Sequence, residues 1–179
     1  MKIQHAFVST KGDGGDPSLV KPSDWNEDHE GIVFVRKPSD ESVLNSTALQ
    51  DDDHLQFAVA ENEEWIFEFL LFVTGATAAD IKLTVVGPAA STILFSVLGY
   101  IIGSTAGSEV TLQGYAGAGA TVHASGIITG NIVAIHVKGA IDNGVNAGDF
   151  KLQWAQNSVD GATATVVKEN STLEALRAA

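Results

Sequence analysis

Three groups of residues in this chain have types and spacings that could do chemistry. Asp51-Asp52-Asp53-His54 places three carboxylates beside an imidazole, a set that can ligate a hard divalent cation. Consecutive side chains on an extended segment point to opposite sides, so Asp51 and Asp53 are the pair that could face one ion. The loop pattern D-x-[DN]-x-[DN]-G is absent, and a solvated acidic turn explains the same residues. Asp13, Asp16, Asp24, Glu27 and Asp28 form a second acidic group. Paired carboxylates hydrolyse glycosides only when a rigid frame fixes their separation in a cleft that excludes water, and GDGGDPS (12–18) is turn chemistry with free glycines. The five histidines, at 5, 29, 54, 123 and 136, include no HExxH pattern or close pair, so a catalytic zinc site has no support. No nucleophile elbow and no phosphate-binding loop appears, and AGAGAT (116–121) reads as a flexible loop. With no cysteine there is neither a thiol nucleophile nor a disulfide framework. We therefore expect no catalytic residues, no resident metal, no cofactor and no enzymatic activity.

The elements around these groups suggest a different use. Residues 1–54 hold three of the four prolines and most of the acidic clusters, and read as an extended N-terminal arm. A stretch this long without structure of its own is unusual inside a compact domain and normally orders against a partner. Trp25 lies in its most polar part, KPSDWNEDHEG (21–31). An aromatic side chain there offers a large apolar area, and burial in a neighbouring chain or against the chain's own body would both satisfy it. Phe7, Trp25, Val33, Phe34 and Val35 are the apolar anchors we nominate for docking.

From residue 55 onward the pattern is β. WIFEFLLFV (65–73) alternates Trp65, Phe67, Phe69, Leu71 and Val73 on one face, while Ile66, Leu70 and Phe72 make the other face apolar as well. DIKLTVVGP (80–88), STILFSVLGYII (91–102), SEVTLQGY (108–115), NIVAIHVKGAI (131–141) and DFKLQWAQ (149–156) follow, then GATATVVK (161–168). STLEALRA (171–178) is assigned to a strand over a short helix. Gly-, Ala-, Ser- and Asn-rich turns join these runs at regular spacing. This predicts an all-β, antiparallel fold over 55–179, a β-sandwich or a closed barrel. The surplus of apolar residues over what one buried face needs predicts a subunit interface.

Composition narrows the partners. Hydrophobic residues make up 45% of the 179 positions and charged ones 18%, as in a globular domain. Twenty-two acidic side chains against ten Lys and Arg give a formal charge of −12. Nucleic acid needs phosphate neutralisation by basic groups, so no nucleic-acid partner is expected. The same acidity argues against anionic membranes, no apolar run is long enough to span a bilayer, and the first residues have no apolar stretch of the secretory kind.

Two stretches resemble known sequences. STKGDGGD followed by LVKPSDWNEDHEG (19–31) is similar to the N-terminal segment of many small virion structural proteins of tailed bacteriophages. LQDDDHLQFAVAENEEWIFEFLLFV, ADIKLTVVGPA and AGDFKLQWAQNSVDGATATVVKENSTLEALRA resemble a phage structural β domain. Together they span most of the chain apart from about 91–131. The resemblance implies a virion component whose body is a jelly-roll-like antiparallel β-sandwich, assembled in the host cytoplasm, that docks through its arm on a major capsid or tail protein and forms a homotrimer. It implies no catalytic residues. Capsid decoration or head fibre is the reading it favours. A tail-fibre protein binding host-surface glycan is the alternative, and a β-scaffold hydrolase of host polymers the third.

Overall fold

The structure is a computed structural model that describes residues 8–26, 31–105, 110–116 and 122–178. One short helix, α1 (Pro22–Asn26), precedes β1 (Ile32–Arg36), β2 (Glu41–Val43), β3 (Gln50–Val59) and β4 (Glu64–Thr74). Then come β5 (Ile81–Val86), β6 (Thr92–Tyr100), β7 (Val110–Ala116) and β8 (His123–Ser125). The described part ends with β9 (Val133–Asp142), β10 (Gly148–Gln156), β11 (Thr165–Val167) and β12 (Thr172–Arg177).

The strands form an antiparallel β-sandwich of two unequal sheets. The larger has eight strands: its main path runs β1-β12-β4-β9-β6-β7, and β11 joins it at β4 with β2 alongside. The smaller runs β3-β10-β5-β8. Period-two alternation decides which residues meet between them. Trp65, Phe67, Phe69, Leu71 and Val73 of β4 are all buried, as are Ile135 and Val137 of β9 and Ile93, Phe95 and Val97 of β6. They face Phe150, Leu152 and Trp154 of β10 and Ile81, Leu83 and Val85 of β5. The centre is aromatic: Phe150 lies 4.5 Å from Phe67 and 5.4 Å from Phe57 between ring centroids. Gly139 makes room for this cluster, since a Cβ there would lie 2.8 Å from the Phe67 ring and 2.2 Å from the Leu94 carbonyl oxygen.

The boundary expected at residue 54 falls inside β3. Strand β1 pairs along its whole length with β12, from Ile32 opposite Leu176 to Arg36 opposite Thr172, and β2 pairs with β11. Residues 32–54 therefore belong to the sheets, because the free edges of β12 and β11 present backbone donors and acceptors that a strand can satisfy. Strand β3 was hidden by its acidic start. Leu55, Phe57 and Val59 alternate inward, but Asp52 is also fully buried. The register with β10 slips between Lys151 and Gln153, and residues 52–55 bulge out of the ladder. Asp52 Oδ1 holds that bulge by accepting hydrogen bonds from the backbone N–H of His54 (3.0 Å) and Leu55 (2.9 Å), the turn chemistry of Asx residues.

Candidate functional site

The chemistry-bearing side chains come together where the first strand ends. Lys37 follows β1, and its N–H and C=O bond to Ser171 (2.8 Å) and Asn170 (2.9 Å). This prolongs the strand by one residue and, by alternation, turns the Lys37 side chain inward after the outward Arg36. The side chain is fully buried. Its Nζ donates to Glu41 Oε2 at 2.6 Å and lies 2.8 and 2.9 Å from Asp52 Oδ1 and Oδ2. His54 Nδ1 stands 3.4 Å away. Trp154 Nε1 donates to Asp52 Oδ2 at 3.2 Å, and Glu41 also accepts from Gln50 Nε2 and from the Asp53 N–H. The cluster draws on the ends of β1 and β2 in one sheet and on β3 and β10 in the other, so it bolts the sandwich together through charge.

Among the described residues, Glu41, Asp52 and His54 have ligand atoms close enough, within 4.8 Å of one another, to hold a metal ion. The Lys37 ammonium sits against all three and is the cation of this site; a divalent ion beside it would meet strong repulsion at low dielectric. The pair nominated from sequence is placed elsewhere. Asp51 points outward, where Lys151 Nζ (2.5 Å) and Gln153 Nε2 (2.6 Å) take up its carboxylate; these hydrogen bonds, that from Lys151 foremost, hold its pKa below the ordinary value. Asp53 is exposed. The buried member of the run is Asp52, and its partner Lys37 was not singled out. A lysine ending an apolar strand with a glutamate four residues on was the available signal.

The other nominated groups are also located. Asp13 accepts from the Ser23 N–H (3.0 Å) and hydroxyl (2.7 Å), and Asn26 exchanges two hydrogen bonds with the Ser9 backbone. Asp24 Oδ2 accepts from the Lys21 N–H at 2.9 Å at the start of α1. The PSDWN motif thus folds residues 9–26 into a closed loop with a single helical turn where an extended arm was expected. Its serine and its two flanking polar residues are used as turn locks. The hydrogen bonds from Ser23 and Ser18 hold the Asp13 and Asp16 carboxyls below their ordinary pKa, so these acids serve turns. Trp25 remains 43% exposed, over a shallow groove lined by Ser9, Val20, Lys21 and Pro22. Val33 and Val35 pack on the chain's own core, because β1 adds to the sheet. Phe34 lies half-buried on the opposite face. Phe7, His5 and His29 fall outside the described residues. His123 is buried, which lowers its pKa, and it bonds the Tyr115 hydroxyl. His136 is exposed beside Glu68.

A third feature is the outer face of the eight-stranded sheet. Register alone lines up Ile32, Leu176, Ile66, Ala140 and Leu94 across five strands. Two residues along lies a polar row of Glu174, Glu68, Lys138 and Ser96, and two further along Leu70, His136, Leu98 and Leu112. Ile66 is 49% exposed, Leu176 55%, Leu94 58% and Leu112 70%. Between β1, β12 and β4 the face dips into an apolar groove of about 450 Å³ lined by Ile32, Phe34, Ile66 and Leu176, with Glu68 and Lys138 at its edge. Glu68 bridges Lys138 at 3.3 Å and lies 3.4 Å from His136, and Glu174 stands directly opposite Glu68 in the same row.

No family model matches the chain, and no curated protein matches it. Among solved structures it is similar at low level to structures of infectious bursal disease virus and of its VP2 subviral particle. The Gx-strain structure is 12% identical with a TM-score of 0.20, and the VP2 subviral particle 9% identical with a TM-score of 0.21. Each alignment covers 93% of this chain and 45% of the other, so the chain spans less than half the length of those proteins.

Proposed function

We propose that this protein is a structural component of a virion. Copies associate through the outer face of the eight-stranded sheet, and the 9–26 loop with Trp25 engages a neighbouring particle protein. The observation that carries this reading is the pair of apolar rows on that face. A solvated sheet face normally alternates polar side chains outward, and a patch of this kind marks an interaction site. The occupant best suited to it is a second copy. A chain of charge −12 repels its own copies, and the two rows of largely uncharged side chains on this face, with Lys138 paired to Glu68 between them, let copies meet without setting most of that charge face to face. The PSDWN loop and the strand sequences resemble those of tailed-phage virion proteins. Their resemblance favours a capsid decoration or head-fibre protein, trimeric, with a major capsid protein as partner. The electrostatics disfavour nucleic acid as a partner.

Sedimentation of the full chain tests the self-association. An oligomer is expected for the native sequence, and monomers with an unchanged β-sheet circular dichroism spectrum for Leu94→Glu combined with Ile66→Lys. A native chain that sediments as a monomer at all accessible concentrations would overturn the assignment of this face.

A further inference from the structure

The Lys37 site is arranged for more than an ion pair, and we propose that it closes an intramolecular amide bond between Lys37 Nζ and Asp52 Cγ. Three features of the geometry carry this. First, Nζ is 2.8 and 2.9 Å from the two Asp52 oxygens. It therefore lies near the plane that bisects the carboxylate and contains Cγ, and a swing within that plane to a place above the carboxylate would bring it to a near-attack position. Second, Asp52 Oδ1 is held by two backbone N–H groups, of His54 and Leu55, which is the donor arrangement that stabilises the oxyanion of acyl transfer. Third, Glu41 Oε2 lies 2.6 Å from Nζ, within reach to take a proton from the nitrogen, and its return to the departing oxygen requires Glu41 and Asp52, whose ligand atoms lie within 4.8 Å of one another, to close to hydrogen-bond distance.

The step balances with these residues alone. The ammonium passes one proton to Asp52, giving amine and carboxylic acid. The nitrogen lone pair forms the Nζ–Cγ bond while the carbonyl electron pair moves onto Oδ1, facing the His54 and Leu55 N–H groups. Glu41 accepts a proton from Nζ and delivers it to Oδ2, which leaves as water as the Oδ1 carbonyl re-forms. Ammonium and carboxylate become amide and water; nothing is oxidised or reduced. The product suits the site at least as well as the reactants do. Its carbonyl oxygen keeps both backbone donors and its N–H donates to Glu41. Two charges that are fully buried, and costly to hold there, disappear. The bond would clamp the end of β1 to β3 across the two sheets, a link that load on the assembled protein could not pull apart by solvation.

The test is the intact mass of the folded, purified full chain measured after denaturation. The expected result is the sequence mass less one water, with fragmentation mapping the loss to a branched peptide that joins Lys37 and Asp52. Glu41→Gln, at a side chain that reaches the surface, is expected to fold with its full sequence mass. A native chain at full mass after prolonged incubation would overturn the proposal. So would a lost water that maps to an aspartyl succinimide at Asp13-Gly14 or Asp160-Gly161, and so would Glu41→Gln showing the same cross-link in full yield. The native measurement decides the matter even if the variant fails to fold.

Discussion

Lys37→Met tests how much the charged bolt contributes. Methionine has nearly the length of the lysine stem, so packing changes little, but the cation is lost. Asp52, fully buried, then faces Glu41 with ligand oxygens within 4.8 Å and no positive group between them. Breaking a buried pair by removing one partner costs about 3–5 kcal/mol. Asp52 retains the His54, Leu55 and Trp154 donors, so the lower end of that range, about 3 kcal/mol, applies. That is a large part of the roughly 5–15 kcal/mol that holds an ordinary domain. Adding Asp52→Asn to Lys37→Met removes the stranded charge and keeps an oxygen for the two backbone N–H groups. The double variant is expected to regain about 2 kcal/mol, although it carries one more change. Neither variant can form the Lys37–Asp52 bond, so their difference reports the charge alone. Urea unfolding followed by tryptophan fluorescence gives both values, with an unchanged dependence on denaturant as the check for comparable unfolding. The comparison with the native chain applies to protein of full sequence mass, in which the ion pair is intact; there the reasoning fails if Lys37→Met unfolds within about 1 kcal/mol of it, and with or without the amide bond it fails if the second substitution lowers stability further.

Further expectations follow from the same structure. Gly139→Ala places a methyl against the Phe67 ring and the Leu94 carbonyl and should lower stability by about 1–3 kcal/mol; a midpoint equal to that of the native chain would show that the sheet yields there. Asp40 and Asp51 have pKa values held below the ordinary 3.8, chiefly by hydrogen bonds from Lys168 and Lys151. A depressed folded-state pKa adds stability that is complete above the unfolded value and lost as pH falls through the folded one. Acid titration should therefore weaken the fold below about pH 4, and Lys151→Met should flatten part of that loss. Trp25→Ala should release the protein from particles while leaving its unfolding midpoint within about 0.5 kcal/mol of the native value, because the side chain is 43% exposed; particles that retain the variant would remove Trp25 from the docking surface.

The body was legible in the sequence wherever alternation was clean. Strands β4, β5, β6, β9, β10 and β12 appear as read, because each buries every second residue between two sheets. STLEALRA was ambiguous by propensity alone, and its pairing with β4 on one side and β1 on the other makes it a strand. Strand β2 is three residues long and carries no period. Strand β3 has three aspartates directly after its first residue, one of which points inward because a bulge shifts the alternation by its own side-chain hydrogen bonds. The leader misled for a related reason. IVFV has an apolar face like a docking segment, and only the open edge of β12, remote in sequence, turns it into a sheet strand. The Lys37 site was only faintly legible: the lysine and the glutamate four residues on could be seen, but no spacing rule links them to 52 and 154, which come from other strands.

An image of the virion with this chain labelled, at a resolution that shows strands, tests the central claim most directly. The account expects each copy to bury the Ile66–Leu94 face of its larger sheet against a sister copy, with the Trp25 loop seated on a different particle protein. Purified particles that lack the protein, or copies whose larger sheet faces open solvent, would contradict it.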